Sequence, residues 1–210
     1  MKKVFRFFAL AAIVCGMTMA VSCGKDDGED GGTTGGNTEN LPTTLDENFN
    51  NGLPSTWTAI DADGDGYNWT PFSNSWWSQN SGQTPFGTDD SDCMVSASFI
   101  NGIEALNTDN YLVMPKLYIN DGAKLTYKIA SYQAQYADSY SVVAGTLENG
   151  TFTITSTLFS DVANSGIADG DGLVEKTVDL SVLKDQSVYI AFRHNCTDCY
   201  WLVLDDVMVQ

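Results

Sequence analysis

Basic residues are scarce in this chain. It carries 10 Lys and Arg against 27 Asp and Glu, a net charge of −17 over 210 residues. Phosphate recognition needs a basic surface, so nucleic acid is excluded as a partner class. Crowded carboxylates instead repel one another unless something neutralises them, which points to cations. Histidine is scarcer still, with His194 the only one. A hydrolase built on a Ser–His pair would have to use it, and no Gly-x-Ser-x-Gly elbow is present. His194 therefore reads as a structural, hydrogen-bonding residue. Cysteine is limited to Cys15, Cys23, Cys93, Cys196 and Cys199, too few for a disulfide-built scaffold of this length. Cys196-x-x-Cys199 has no βαβ context for thioredoxin-like redox chemistry, and zinc would need more ligands than one such pair supplies. Beyond Leu41 no convincing helical period appears.

What is present begins with an address. MKKVFRFFALAAIVCGMTMAVSC opens on Lys2, Lys3 and Arg6, followed by an apolar run and small residues, the pattern of a secretory signal peptide over residues 1–22. Ala20-Val21-Ser22-Cys23 resembles a lipobox, with cleavage before Cys23 and lipid on its thiol. Several acyl chains on one residue give lasting membrane attachment where one chain does not. Residues 23–40 contain GKDDGEDGGTTGGNTEN, with nothing to bury, so they read as a flexible acidic tether reaching roughly 20–25 Å. Lys25-Asp26-Asp27 resembles the acidic signal that sends some Gram-negative lipoproteins to the outer face of the outer membrane. The expected location is thus an outer-membrane lipoprotein exposed at the cell surface.

Residues 41–210 read as one all-β domain. Short runs rich in β-branched and aromatic residues are broken by Gly, Asn, Asp and Pro. The expected strands are Thr44–Phe49, Cys93–Phe99, Tyr111–Ile119, Lys124–Gln133, Ser139–Thr146, Thr151–Phe159, Glu175–Leu180, Ser187–Arg193 and Trp201–Val209. In Lys124–Ala130, Leu125, Tyr127 and Ile129 share one face, with Lys124, Thr126 and Lys128 on the other. Asn120-Asp121-Gly122 and Glu148-Asn149-Gly150 read as turns. The spacing predicts a β-sandwich of the jelly-roll kind.

The stretch TAIDADGDGYNW places Asp61, Asp63 and Asp65 in alternation, with Gly64 and Gly66 permitting a turn. This is the front half of a calcium loop. It is not an EF-hand: position twelve, which must be a bidentate Glu, is Phe72, and neither flank is helical. Calcium takes six to eight oxygens, so further ligands must come from elsewhere. First and last strands of a jelly roll often lie close, which nominates Asn48, Asn50, Asp205 and Asp206. The expected structural calcium site therefore comprises Asn50, Asp61, Asp63, Asp65, Asp205 and Asp206, gathered into one small region.

Four motifs, FNNGLPSTWTAIDADGDGYNW, SASFI, NTDNYLVMPKL and AFRHNCTDCYWLVLDDVMV, run in order from Phe49 to Val209. Together they resemble the cleaved adhesin domain family, the hemagglutinin-type modules attached to gingipain proteases and related anchored surface modules. The resemblance implies a galactose-binding-domain-like jelly roll with bound calcium and a role in adhesion to host glycoprotein, matrix protein or glycan. It also implies a Cys93–Cys196 disulfide, because both cysteines fall in motifs where the family carries cysteine; Cys196–Cys199 is the rival pairing. The family usually has Phe-Glu where this chain has Phe49-Asn50, which replaces a carboxylate with an amide at a candidate ligand. SNSWWSQNSGQTPFG has no counterpart in the family.

That last segment carries Trp76 and Trp77. In extended chain adjacent residues point to opposite sides, so one ring packs and the other is free for a ligand. Flanking Ser, Asn and Gln give the composition of many glycan or protein contact surfaces. Three readings follow: an adhesin, a polysaccharide-capture lipoprotein, or a hydrolase using the abundant carboxylates. The Asp clusters lie on turns and are better explained by a cation, so a non-catalytic module is expected.

Overall fold

The computed structural model describes residues 40–81, 91–103 and 105–210. The expected signal peptide, the expected lipidation at Cys23 and nearly all of the expected tether fall outside the described residues. Among the described residues twelve strands form two antiparallel sheets: β1 Leu45–Glu47, β2 Thr58–Asp61, β3 Thr70–Phe72, β4 Cys93–Ala97, β5 Asn110–Val113, β6 Leu117–Tyr118, β7 Lys124–Ser131, β8 Ser139–Glu148, β9 Thr151–Val162, β10 Val174–Asp179, β11 Ser187–His194 and β12 Trp201–Val209. The first sheet runs β10-β7-β12-β4-β3, with β1 also on β12. The second runs β2-β5-β11-β8-β9, with β6 also on β11. This is the jelly-roll sandwich that the strand spacing predicts.

Period-two alternation sets the core. Leu125, Tyr127 and Ile129 of β7 point inward and are fully buried, as do Val142 and Ala144 of β8, Ile190 and Phe192 of β11, and Leu202 and Leu204 of β12. Phe49 and Trp57 pack edge to face against this core at 5.2 Å. Asn149 and Gly150 take positive φ (50° and 80°) in the turn joining β8 to β9, the signature of a two-residue hairpin. β1 lies along the end of β12, with Leu45 opposite Val209. In the expected strand Tyr111–Ile119 the ladder stops at Met114-Pro115-Lys116 and resumes as β6, because proline cannot donate to it. Asn120-Asp121-Gly122 carries the chain from one sheet to the other rather than closing a hairpin, since β6 pairs with β11 and not with β7.

One helix departs from the sequence expectation. Asn74–Ser81 is α1, not extended chain. It lies over the outer face of the first sheet, where Trp77 joins Cys93, Val203 and Ala130 in a second apolar cluster. Only one side chain per turn needs burying there, so the segment has too weak a periodicity to read as a helix.

Candidate functional site

The expected calcium ligands separate into three places. Asp61 ends β2 in the second sheet, and Asp63 and Asp65 follow in the loop; ligand oxygens of all three lie within 4.8 Å of one another. The loop closes on its own amides. Asp61 accepts from Gly64 N at 2.7 Å and Gly66 N at 2.8 Å, and Asp65 from Tyr67 N at 2.7 Å. Asp63 Oδ2 accepts from Asp109 N at 2.8 Å, and Asp109 is held by both nitrogens of a bidentate Arg193 at 2.6 and 2.9 Å. Burial raises the Asp61 carboxyl, but a hydrogen bond with Asp63 and the backbone amides outweigh it and hold it below the usual range. Asp63 goes the other way: burial, the bond with Asp61 and the charge of Asp65 push it up. The two carboxylates compete for protons at close range.

Asn50, Asp205 and Asp206 do not join this group, which corrects the expectation of one compact site. Asp205 and Asp206 sit at a bulge in the middle of β12, in the other sheet. The bulge shifts the alternation by one residue and turns Val207 and Val209 inward. Asp205 is buried and accepts from Ser91 Oγ at 2.9 Å. Asn50 Oδ1 accepts from Asp92 N at 2.9 Å nearby in sequence to Ser91. Asp206 pairs with Lys128 at 2.7 Å. First and last strands do meet, but the Asp-rich loop belongs to neither.

The Cys93–Cys196 pairing is also overturned. Cys196 is bonded to Cys199, and Cys93 is free and fully buried. The register explains this. Trp201, two residues after Cys199, lies opposite Ala97, and Cys93 is four residues further along β4, about 13 Å away at strand rise. Burial first, then the charges of Asp205 and Asp92, push the Cys93 thiol well above its ordinary value.

His194 is the buried hydrogen-bonding residue expected. Asn110 Nδ2 donates to Ser96 Oγ at 3.1 Å, Ser96 Oγ lies 2.8 Å from His194 Nδ1, and His194 Nε2 lies 3.1 Å from Asp138 Oδ1. Read with Asp138 as acceptor, the donors run one way along the chain. The order Ser–His–Asp is that of a hydrolytic triad, but Ser96, His194 and Asp138 are 1%, 0% and 0% exposed. A nucleophile must reach its substrate, and this one is sealed in the interior.

Sequence reasoning named Trp76 and Trp77 but missed the aromatic rings that adjoin Trp77. Phe72 and Trp77 (5.4 Å between ring centres), Trp77 and Trp201 (6.3 Å), Trp201 and Tyr132 (5.6 Å), and Tyr132 and Tyr200 (5.1 Å, 18° between planes) form a continuous aromatic strip. Phe99 and Tyr136 also stack against Tyr200, both within 26° of its plane. The strip crosses the outer face of the first sheet, with most rings half-buried and Tyr136 48% exposed. Trp76, on α1 beside Trp77, is 55% exposed. Thus one tryptophan packs and the other faces solvent, as anticipated, although a helical turn and not an extended chain separates them. The signal lay in the outward-facing aromatics at strand ends, Tyr132, Tyr200 and Trp201, which sequence spacing alone does not bring together.

Comparisons with known proteins place this fold. A model of the Cleaved Adhesin Domain family matches residues 42–209. Hemagglutinin A of Porphyromonas gingivalis is 37% identical over 182 residues, which cover 80% of this chain and 7% of that protein. Lys-gingipain of the same species is 35% identical over 182 residues, covering 80% of this chain and 10% of that one. The chain thus spans a small part of the length of these relatives. The solved K1 cleaved adhesin domain of Lys-gingipain from P. gingivalis W83 superposes with a TM-score of 0.65 at 34% identity, over 80% of this chain and 98% of that one. The K3 domain gives 0.62 at 36%, over 79% and 96%. By sequence and by fold, this chain belongs to the cleaved adhesin domain family.

Proposed function

We propose that this chain is a non-catalytic cell-surface lipoprotein whose adhesin domain binds a glycan, or a host glycoprotein or matrix protein, through the aromatic strip. The strip is the observation that carries the reading. Seven rings in contact, with Trp76 beside them, offer flat apolar area with polar edges, which is what sugar rings and protein hot spots both require. The net charge of −17 favours neutral or basic ligands over anionic ones. Polysaccharide capture for uptake would use the same strip and differ only in ligand.

Calcium is proposed as a structural ion of the Asp61–Gly66 loop. Three carboxylates within 4.8 Å, two of them competing for protons, fit a hard cation bound through oxygen. Backbone carbonyls and water would complete the shell. Asp205 and its neighbours offer a separate oxygen-rich place near Asn50 and Asp92.

Arrays of glycans and matrix proteins, probed with the parent and with Trp76→Ala and Tyr136→Ala, test the binding surface. Each substitution is expected to weaken binding about tenfold or more, about 1.4 kcal/mol, without loss of folding. Variants that bind as tightly as the parent would remove the strip from the account. The anchor is tested separately: Cys23→Ala should fractionate without acyl label, and a labelled, membrane-bound variant would refute lipidation at that residue.

A further inference from the structure

Far along the chain from the acidic loop, the Cys196–Cys199 turn meets the buried end of the His194 network. We propose that Cys196, Cys199 and Asp138 form a zinc site when the disulfide is open. A carboxylate oxygen of Asp138 and the two Sγ atoms all lie within 4.8 Å of one another. The Asp138 carboxylate is lopsided. Its Oδ1 takes Ser98 Oγ at 2.9 Å, His194 Nε2 at 3.1 Å and Tyr200 N at 3.3 Å. Its Oδ2 is buried and has no hydrogen-bond partner. A buried carboxylate oxygen without a donor is costly, and a disulfide offers it no proton. A cation held by both sulfurs would satisfy it.

Cys-x-x-Cys is a chelating spacing. Here Asp198 takes a left-handed turn (φ 54°) and the two Cα atoms stand 6.2 Å apart. In sequence the pair lacked further ligands; the fold supplies Asp138 from 58 residues before Cys196. The three donors on Oδ1 would orient the carboxylate as outer-shell partners do. Both cysteines are half-buried, so an ion can enter from solvent and keep water as its fourth ligand. Thiolate donors select zinc over calcium, which separates this site chemically from the Asp61 loop.

The chemistry balances with a thiol as reductant. Two R–SH become R–S–S–R and deliver two electrons and two protons, giving the Cys196 and Cys199 thiols. Zinc then displaces both protons to solvent and binds two thiolates. In reverse, a disulfide oxidant takes two electrons from the thiolates, the Cys196–Cys199 bond re-forms and Zn²⁺ leaves.

The test is zinc titration of the full-length chain in detergent, against a chromophoric chelator, with the chain oxidised or reduced by a phosphine. One zinc per reduced chain and none per oxidised chain is expected. Cys199→Ser and Asp138→Asn should each weaken binding by at least the 10–100-fold that even outer-shell partners command. X-ray absorption at the zinc edge should show two sulfurs and a shell of oxygen or nitrogen. The two-sulfur shell tests the cysteine pair as the metal site even where Asp138→Asn fails to fold. A reduced chain that takes up no zinc, equal affinity in Cys199→Ser, or a metal shell without sulfur would overturn the site.

Discussion

Two carboxylate clusters in this domain are built in opposite ways. Asp61, Asp63 and Asp65 alternate within one short stretch of chain, are largely exposed, and are satisfied by amides of their own loop or its neighbour Asp109. Asp138 is fully buried, and its donors, the Ser98 and His194 side chains and the Tyr200 backbone N–H, lie 40, 56 and 62 residues away in the chain. The first cluster keeps its geometry locally and trades partners with solvent and ions. The second exists only when four segments are assembled. One should respond to what is dissolved around the protein, the other to whether the fold is intact.

The largest expected effect is in the buried network. His194→Ala takes one of three donors from Asp138 Oδ1 and the acceptor from the Ser96 hydroxyl, and leaves a cavity in the interior. Each buried polar group left short of a partner costs about 1–3 kcal/mol, and the cavity adds to that. Urea unfolding of residues 41–210 should show that loss whether calcium is present or not. A loss below about 1 kcal/mol would show that the network does not hold the two sheets together.

The exposed cluster should give a smaller and conditional effect. Calcium at a hundred times its dissociation constant adds about 2.7 kcal/mol, on the order of 5–10 °C in Tm for a domain of this size. Magnesium should do less, because it keeps its water and demands octahedral geometry. Asp63→Ala should remove most of the response. The Asp63 carboxyl is raised from 3.8, so it takes up a proton before an ordinary aspartate does as pH falls, and the calcium response should fade there first. Melting curves that coincide in chelator, magnesium and calcium would leave the loop as a plain acidic turn.

The smallest effect calibrates the other two. Lys176 and Asp161 pair at 2.8 Å with each side chain 31% exposed. The hydrogen bond from Lys176, against burial, holds the Asp161 carboxyl below 3.8. Its stabilisation is full above 3.8 and is lost as pH falls through the lower folded value. Asp161→Asn should cost less than about 1 kcal/mol at neutral pH and nothing below that window. A larger loss in a pH series of melting temperatures would place Asp161 among the buried carboxylates.

The difference between the clusters also explains what the sequence revealed. Leu125, Tyr127 and Ile129 announce the inner face of β7 because alternation is local. Asp61, Asp63 and Asp65 announce their loop because six residues suffice to build it. The partition of the proposed ligands between two sheets was not legible, because strand order is set by long-range pairing, and closeness of first and last strands says nothing of a loop after β2. The disulfide followed the same rule. Only the register of β12 on β4 shows that Cys93 is out of reach of Cys196. The aromatic strip takes Phe72, Tyr132 and Trp201 from three strands or their ends, and Trp77 from a helix whose single buried ring leaves almost no periodic trace.

The pairing of Leu45 with Val209 has an architectural consequence. The two ends of the fold leave from adjacent rungs of one ladder. A short linker can close them into a ring, and the chain can be reopened at Asn149-Gly150 with both sheets preserved, because nothing in the core depends on where the polypeptide starts. The same adjacency lets such a unit be spliced into a surface loop of a larger protein, copy after copy, without prising the host's own ends apart.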